Sequence, residues 1–479
     1  MYLEQPKVTN SQEEWRTVFF DYFDTKLDQI EQEYKMDNLA DISKAIFQER
    51  SEILGRLILG FIEKKFSDFL NQETYSCLKC SKQLGSRGKR PKTIQTLAGK
   101  FELLRPYFYC IDCQIGYYPL DEALCLSKSS KQYDVQDIEA WLSSETTYEV
   151  ASETYERITG DKLSEQHMYE TTNAIGEGLD ILDVCPSKET INKLIDEMSE
   201  GKFRRPIIMI AIDGAHIPTR PEPTPHKRKG KRGKGKWKEV KGFRIYILGT
   251  NKITHLISWH QVCTDEELAE NLLTIKESCL IPEEKVRICL IGDGAPWIWN
   301  RSKEIFPEAK EILDYYHCSE HIHNTGDALY GKHTIDAQQW AETILTRIYF
   351  GYIEEVQVYI AKVLEGLNND ATKTEELKEK IDKLYNYLLN HRDKMDYNTA
   401  KRAGYHIGSG AIETANKFIS HTRMKRSGSW WYISNANNML KIRCAKYNGT
   451  YDAIIKKYKK DDQERIRHKK SNTNLKIIQ

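Results

Sequence analysis

Two aspartates in matching settings are the residues of this sequence best suited to chemistry. The apolar runs IAIDGAH and LIGDGAP each lead into an Asp-Gly-Ala triplet, at Asp213 and Asp293. A carboxylate at the end of a buried strand costs little only if it faces a cleft, and ligands bind at the carboxyl edge of open α/β sheets. On parallel neighbouring strands, about 4.8 Å apart, both carboxylates could reach one cation or a pair of cations. Mg²⁺ takes oxygen ligands, which would explain why no Lys or Arg balances Asp293.

A third acid follows in the segment GSGAIETANK, where Gly408 to Gly410 open a predicted helix with Glu413 in its first turn. Asn416, Lys417 and Ser420 lie further along the same helical face. An acid at a helix N-terminus is also favoured by the helix dipole, by about 0.3–1 kcal/mol, so capping alone could explain Glu413. Three acids in the order strand, strand, late helix predict a site more strongly than any one of them.

Four cysteines form a second candidate metal site. CLKC (Cys77, Cys80) and CIDC (Cys110, Cys113) are two CxxC pairs. Tetrahedral zinc takes thiolates at about 2.3 Å, and a two-residue gap lets a tight turn point both sulfurs inward. The segment between the pairs predicts two strands around Gly99, which would return the second pair to the first. Two unrelated cysteine pairs, or a redox pair, are the alternatives.

Basic residues cluster although the formal net charge is only +1. The predicted ribbon interleaves Lys and Arg with aromatic residues, the segment 223–243 is rich in Lys and Gly, and a further cluster with two tryptophans follows the late helix. Such clusters suit the phosphates of nucleic acid, while solvated surface is the alternative. The residues predicted to contact DNA are Arg228, Lys231, Arg232, Lys234, Lys417, Arg423, Lys425 and Arg426.

The elements that must position these residues form an α/β arrangement. Apolar runs predict four strands, and a helix at Asp265–Cys279 precedes the fourth. Helical spacing resumes past Asp327 and continues to about His391, as an insertion into the sheet domain. The strands are predicted at Pro206–Asp213, Phe243–Thr250, Thr254–His260 and Val286–Asp293.

A helix-turn-helix is also possible within 147–176. Gly160 would make the turn, and Ser164 would cap a second helix whose leading end, through His167, could enter a major groove. That helix has few Lys or Arg, so ordinary helical packing is the alternative.

Composition limits the class of protein. The 479 residues suggest about three or four domains, and 40% hydrophobic with 29% charged residues is globular. The longest apolar run near the N-terminus, ILGRLILGFI, carries Arg56 and is about half a membrane span. An odd number of cysteines, 11, argues against a secreted disulfide framework. The N-terminus lacks a signal-peptide pattern, so we predict a cytoplasmic protein without a membrane anchor.

The order Asp213, Asp293, Glu413 on such a sheet resembles the RNase H-like DDE transposases, and more closely the bacterial insertion-sequence transposases of the ISKra type. The resemblance covers nearly the whole chain, including RPYFYC, YYPLDEALCL, IGSGAIETANK and MKRSGSWW. In LDYYHC, Asp314 and His317 match the Asp/Cys, two residues, His signature of the Mutator-like superfamily. Cys318 and His321 offer the same spacing in another frame, and an Asp-His hydrogen bond that braces the site is the structural alternative.

The resemblance implies a function. Asp213, Asp293 and Glu413 would hold two Mg²⁺ (or Mn²⁺) ions about 3.5–4 Å apart, for hydrolysis and strand transfer at DNA phosphodiesters. The partners would be the element's terminal repeats, target DNA and further copies of the chain in a synaptic oligomer, at the nucleoid. One structural Zn²⁺ would sit on the cysteines.

Two other functions stay open. A catalytically silent, domesticated DNA-binding protein is one, but retention of all three acids argues against it. An RNase H-like host nuclease is the other, although a plain hydrolase needs neither the ribbon nor the insertion.

The predicted fold is therefore an RNase H-like mixed sheet with a helical insertion, preceded by helical and zinc-ribbon modules. Its regions are a helical N-terminal region (1–70), a zinc ribbon (71–128), a helical region with a possible helix-turn-helix (129–200), the first part of the catalytic domain (201–325), the helical insertion (326–400), the last catalytic part with Glu413 (401–450), and a basic, partly ordered tail (451–479).

Overall fold

The computed structural model describes residues 14–222, 234–249, 252–369 and 374–471. It divides into two compact units, one formed by the described parts of 1–174 and 455–479 and the other by those of 175–454. Each unit contains helices and one sheet, which confirms the predicted mixed α/β class. None of the helices within the described ranges has an apolar stretch long enough to cross a bilayer.

The first unit packs helices around a four-stranded antiparallel sheet of order β1-β2-β3-β4. Leu59 and Ile62 of its second helix share a core with Ile94 and Leu103 of the sheet. The contact is close because a Cβ at Gly55 would lie 2.3 Å from the carbonyl oxygen of Lys100. The elements are α1 (Glu14–Glu33), α2 (Leu39–Lys65), α3 (Ser67–Leu70), β1 (Thr74–Ser76), β2 (Gln83–Gln95), β3 (Lys100–Cys110), β4 (Ile115–Tyr117), α4 (Pro119–Ala123), α5 (Tyr133–Glu145), α6 (Tyr148–Thr159) and α7 (Glu165–Glu177).

The second unit is built on a five-stranded sheet of order β7-β6-β5-β8-β9. Its first three strands pair antiparallel in sequence order, whereas β8 and β9 run parallel to β5 on the other side. Its elements up to the end of the sheet are α8 (Ile181–Val184), α9 (Lys188–Ser199), β5 (Ile207–Thr219), β6 (Lys236–Leu248), β7 (Ile253–Gln261), α10 (Asp265–Glu277), β8 (Arg287–Gly292), α11 (Pro296–Ile305) and β9 (Lys310–Leu313).

Three features of this sheet differ from the sequence prediction, the first being that β6 begins at Lys236 and not at Phe243. Strand β5 does not end at Asp213 but continues to Thr219, because Ala215 and Ile217 stay buried while the strand goes on pairing with β6. Strand β9, only four residues long, was not predicted because KEIL is too short to show a pattern.

Helices follow β9 before the chain reaches Glu413. They bury one apolar face each, such as Trp340, Ile344 and Ile348 on α13. They are α12 (Tyr315–Tyr330), α13 (Ile335–Tyr349), α14 (Ile353–Asn368), α15 (Glu375–His391) and α16 (Tyr397–Arg402).

The last part of the second unit carries Glu413 on α17 (Gly410–Asn416), which runs into a π-helical turn (Lys417–His421) and α18 (Thr422–Met424). Helix α19 (Ile433–Asn448) then packs against β7.

Within the C-terminal tail, α20 (Tyr451–Ser471) is a continuous helix, and residues 472–479 lie outside the described residues. The part of α20 that belongs to the first unit is bound to α5. Tyr458 donates a hydrogen bond to Gln136 at 2.9 Å, and Tyr133 donates one to Asp462 at 2.9 Å. These contacts order a segment that composition alone describes as solvated.

Candidate metal centres and the adjoining groove

The four cysteines of the first unit come together at one end of its sheet. Cys77 and Cys80 follow β1, Cys110 ends β3, and Cys113 precedes β4. Their sulfurs all lie within 4.8 Å of one another, with Cys77 to Cys113 at 3.9 Å and Cys80 to Cys110 at 3.7 Å. Four sulfurs placed tetrahedrally about 2.3 Å from a zinc ion are separated by about 3.8 Å, which these distances fit.

The two cysteine turns have the same local geometry. Ser81 and Gln114, each directly after the second cysteine of a pair, are left-handed, with φ of 58° and 55°. The Ser81 N–H donates to the Cys77 carbonyl at 2.9 Å, which closes the first turn. The sequence prediction that a hairpin returns one pair to the other is correct, since β2 and β3 turn between Thr96 and Gly99.

The electrostatics of the cysteine group favour a cation. Burial opposes ionisation of Cys77, but hydrogen bonds from Tyr117 and from the N–H groups of Cys80 and Lys79 outweigh it and lower its pKa to about 6. Burial and the neighbouring sulfurs raise the pKa of Cys113 to about 12. A metal cation between the sulfurs would favour the thiolate forms that bind it.

In the second unit, Asp213 and Asp293 lie on adjacent parallel strands. The last parallel pair of β5 and β8 is Ala211 with Ile291, and each aspartate lies two positions beyond it. Asp213 Oδ1 accepts the N–H of Gly214 at 2.7 Å, and Asp293 Oδ1 accepts that of Ala295 at 3.0 Å. The two aspartates therefore occupy matching positions relative to the register of the neighbouring strands, where β8 ends.

Charge couples these aspartates with Glu413. Burial raises the pKa of Asp213 to about 6; the Gly214 N–H and His317 oppose the rise, and the charges of Asp293 and Glu413 add to it. The carboxylate of Glu413 also lies within 4.8 Å of ligand atoms of Asp314 and His317. Among the described residues, Asp213 and Asp293 are not part of this group, and the charge of Glu413 acts on Asp213.

Asp314 anchors the start of the Glu413 helix. The side chain is fully buried, and its Oδ1 accepts the Tyr316 N–H at 2.7 Å to cap α12. Its Oδ2 accepts the N–H of Ser409 at 3.1 Å and the Ser409 hydroxyl. His317 Nε2 is 3.9 Å away, too far for a hydrogen bond. The brace considered for this motif is therefore made to Ser409, the residue before α17, and not to His317.

The other frame of the motif places one residue in the core and the other on an aromatic ring near Asp293. Cys318 is fully buried, and its burial raises the pKa of the thiol to about 12. His321 packs on Tyr387, with ring centroids 4.5 Å apart. Asp314 and His317 are thus grouped with Glu413, whereas the charge of Asp293 acts on His321.

The helices between β9 and α17 also support the Asp293 turn. Gly294 has φ of +102°, and a Cβ there would lie 3.0 Å from Tyr387 and 3.2 Å from His391, both on α15. The Tyr387 hydroxyl donates to the Asp293 carbonyl at 3.4 Å. Only glycine fits both the backbone conformation and the space.

An open groove of about 760 Å³ adjoins the acids. It contains Asp213 and Glu413 together with three of the cations predicted to contact DNA, Lys417, Lys425 and Arg426. The groove is lined by Asp213, Gly214, Glu413, Thr414, Asn416, Lys417, His421, Thr422, Lys425 and Arg426.

Arg423 corrects the prediction for this cluster. It is only 2% exposed, and its guanidinium packs over the Trp431 ring at 4.8 Å. The π-helical turn before it adds a residue to the helix and changes which side chains face outward. Arg423 is therefore part of the core, not of the groove.

The remaining cations predicted between the first two strands are only partly described. Lys234 is exposed before β6, whereas Arg228, Lys231 and Arg232 lie outside the described residues. Beside Lys234, a Cβ at Gly235 would lie 2.1 Å from the Trp430 ring, so the chain crosses that ring closely.

The possible helix-turn-helix has the predicted local signals. Gly160 ends α6 with φ of 69°, and the Ser164 hydroxyl accepts the His167 N–H at 3.2 Å. However, His167 Nδ1 lies 2.7 Å from the buried carboxylate of Glu139 on α5, and Nε2 lies 3.1 Å from the Ser129 hydroxyl. The leading end of α7 thus uses His167 for packing, which is the alternative considered above.

Comparison with known proteins gives a family but no activity. Residues 79–461 match the sequence model of the uncharacterised protein family UPF0236. A Streptococcus gallolyticus protein described as the UPF0236 protein in vanSb 3′ region is 24% identical over 355 residues, which cover 71% of this chain and 69% of that protein. The family match spans all three candidate acids and the groove cations.

Proposed function

The chain belongs to the uncharacterised protein family UPF0236, and we propose that it is a DDE-type DNA transposase that cleaves and joins DNA with divalent cations. The observation that carries the proposal is the position of Asp213 and Asp293. Each lies two residues beyond the last pair of two parallel neighbouring strands, and the first shares a groove with Glu413 and three exposed cations. Acids and basic residues in one open groove suit a phosphodiester substrate.

The topology supports an RNase H-like assignment for the second unit. Three antiparallel strands in sequence order are followed by a helix and two strands parallel to the first, in the order β7-β6-β5-β8-β9. Glu413 then comes from a helix after the sheet, beyond the inserted helices. This is the order of acids and elements that the resemblance to DDE transposases implies.

The donor set of the acidic site fits Mg²⁺ or Mn²⁺. Asp213, Asp293 and Glu413 supply only carboxylate oxygens, which hard divalent cations prefer. When bound, two such ions would activate the attacking oxygen and stabilise the leaving one. Asp314 and Ser409 hold the helix of Glu413 in place. His317, in the first turn of α12, lies beside the Glu413 carboxylate.

The groove cations position the DNA in this proposal. Lys417, Lys425 and Arg426 would contact phosphates on either side of the scissile bond. Lys234 and the neighbouring Arg228, Lys231 and Arg232 would add a further basic contact from the segment between β5 and β6. Two DNA ends must be brought together, which requires at least two copies of the chain, and we propose a homo-oligomer at the nucleoid.

The cysteine group is proposed to bind one structural Zn²⁺ and to form a zinc ribbon. The sulfur distances and the two left-handed turn residues fit a closed tetrahedral site. On the same sheet, Arg87 lies over Tyr109 and Arg90 over Tyr107, each at 5.7 Å. This basic and aromatic surface suits DNA contact.

The test uses the full-length chain and a plasmid that carries the DNA flanking its gene. With Mg²⁺, we expect nicks or breaks at defined ends, followed by joining of those ends to target DNA. Glu413→Gln should abolish both steps. Glu376→Gln is the matched control, because Glu376 also lies exposed in the first turn of a helix and is not among the groove residues.

The other outcomes separate the alternatives. Cutting that does not depend on the flanking DNA would assign a nuclease instead. Binding to DNA without cutting in either Mg²⁺ or Mn²⁺ would assign a DNA-binding protein. Equal activity of the Glu413 and Glu376 variants would reject the acidic site.

A further inference from the structure

A chain of two hydrogen bonds lies behind Asp213. Asn416 Nδ2, at the end of α17, donates to Asp213 Oδ2 at 2.7 Å. His260 lies on β7, and its Nε2 is 2.8 Å from Asn416 Oδ1. His260 is fully buried and Asn416 is 3% exposed, so the bond between them is shielded from solvent, whereas Asp213 lies at the open groove.

The strand register creates the space for this chain. Asp213 is paired with Gly242 on β6, and Gly242 is paired with His260 on β7, so the three residues form one row across the sheet. A Cβ at Gly242 would lie 2.5 Å from Cδ2 of His260. Gly242 therefore lets the imidazole lie over β6, where it reaches Asn416.

The chemistry of Asp213 fixes the direction of both bonds. An ionised carboxylate only accepts hydrogen bonds, so Asn416 must turn its NH₂ group toward Asp213 and its oxygen toward His260. His260 must then carry its proton on Nε2. Among the described residues, no hydrogen-bond partner is present for Nδ1 of His260, so the ring directs its polar contact to Asn416.

We infer that His260 is a positioning residue that acts through Asn416 to fix the carboxylate of Asp213 for cation binding. The inference rests on the proposed function, since it assigns a role within the same site. Asp213 Oδ1 is held by the Gly214 N–H and Oδ2 by Asn416, which sets the carboxylate plane and leaves further lone pairs for a cation. Groups that orient a metal ligand in this way typically change metal affinity or activity by about 10–100-fold when they are removed.

A second His-Asn pair on the same strand provides a matched control. His255 Nε2 lies 3.0 Å from Asn448 Oδ1. The amide of Asn448 donates to the carbonyls of Val184 and Ser258, at 2.9 and 3.0 Å, and not to a carboxylate. The two pairs share their chemistry and their strand, but only the pair with His260 leads to an acid.

The experiment compares His260→Leu, His260→Gln and His255→Leu in the full-length chain. For each, the Mg²⁺ concentration for half-maximal end cleavage, the maximal rate and the melting temperature are measured. We expect His260→Leu to raise the Mg²⁺ requirement about tenfold or more. His260→Gln should stay within about threefold, because its amide can still donate to Asn416. His255→Leu should lower the melting temperature and leave the Mg²⁺ requirement unchanged.

Equal Mg²⁺ requirements for His260→Leu and His255→Leu would overturn the inference. If His260→Leu does not fold, Asn416→Leu, of similar size, removes the same contact to Asp213 and should raise the Mg²⁺ requirement by a similar factor. An unchanged requirement in that variant would also overturn it.

Mn²⁺ binding separates this inference from the proposed function. If the unaltered protein does not cleave DNA, the transposase proposal fails. A titration followed by electron paramagnetic resonance then tests the positioning role alone, with weaker Mn²⁺ binding by about tenfold expected for His260→Leu. The same Mn²⁺ affinity in both proteins would contradict the role.

Discussion

The two candidate metal centres differ in how far apart in the sequence their ligands lie. The cysteine centre in the first unit draws all its ligands from two short turns joined by one hairpin, and three of its four sulfurs are buried. The acidic centre in the second unit draws on two strands and a late helix and lies beside an open groove. Asn416 donates to the Asp213 carboxylate, and the bond from Ser409 to Asp314 anchors the helix that carries Glu413.

Under the proposed function, this difference separates a structural site from a reactive one. A closed set of four thiolates leaves no position for a substrate and contributes its binding energy to folding. An open set of carboxylates must be kept in place without a tight cage, so the surrounding hydrogen bonds carry that task.

The largest effect is expected in the cysteine centre. The double variant Cys80→Ser, Cys113→Ser should lose about one zinc per chain and unfold the sheet around it, because zinc binding of about 10–16 kcal/mol is folding energy in such sites. Zinc is measured by mass spectrometry of the purified protein. Cys125→Ser is the control, since Cys125 is exposed and is not part of the four-cysteine group. Equal zinc content in the double variant and the control would refute the site.

A smaller effect is expected where Asp314 holds the Glu413 helix. Asp314→Asn should lower the end-cleavage rate about tenfold and the free energy of unfolding by about 1–3 kcal/mol. The NH₂ group of the amide would face the Ser409 N–H, and two donors cannot form a hydrogen bond. Asp396→Asn is the matched control, because Asp396 also caps a helix, through the Thr399 N–H. Similar losses in both variants would mean that Asp314 acts only as a helix cap.

The groove cations should give a more modest change. Lys425→Ala is expected to weaken DNA binding regardless of sequence and to reduce the slope of log affinity against log salt by about one. Binding isotherms at several salt concentrations measure both quantities. Lys401→Ala, at an exposed position on α16, should change neither. A loss of sequence preference in Lys425→Ala would assign it to base recognition instead.

The last prediction concerns how the free energy of unfolding changes with pH. Burial lowers the pKa of His255 and His260 to about 4, so both are neutral in the folded protein and protonated in the unfolded chain below about pH 6.5. The free energy of unfolding therefore carries the full contribution of the two neutral rings above about pH 6.5. It declines as the pH falls toward 4, by at most about 1.4 kcal/mol per pH unit for each ring. Urea unfolding of His255→Gln should show a shallower decline over this range. The same slope in both proteins would mean that His255 does not titrate on unfolding.

Much of the fold was readable from local pattern. Apolar, β-branched runs gave the four long strands of the second unit, and paired CxxC turns gave the cysteine centre. The extension of β5 was missed because Asp213 and Gly214 resemble a strand end, while continued pairing with β6 decides the outcome. Arg423 was misplaced because a π-helical turn is not visible in residue spacing.

The supporting residues of the acidic centre could not be predicted in the same way. His260 and Asn416 are 156 positions apart, Asn416 and Asp213 are 203 apart, and Ser409 and Asp314 are 95 apart. No local pattern joins such pairs, since they meet only when the sheet and the late helix pack together. Gly242 is the one local sign, a glycine within a buried strand, and it shows where another group approaches the backbone.

The central claim, that the acids of the second unit bind the cations of a DNA-cleaving site, is tested most directly with Asp293→Asn. End cleavage and strand transfer by the full-length protein are measured at saturating Mg²⁺ on DNA that carries both flanks of the gene. The account predicts a loss of at least about a hundredfold in both reactions, with DNA affinity and melting temperature preserved. Full activity of Asp293→Asn would contradict it.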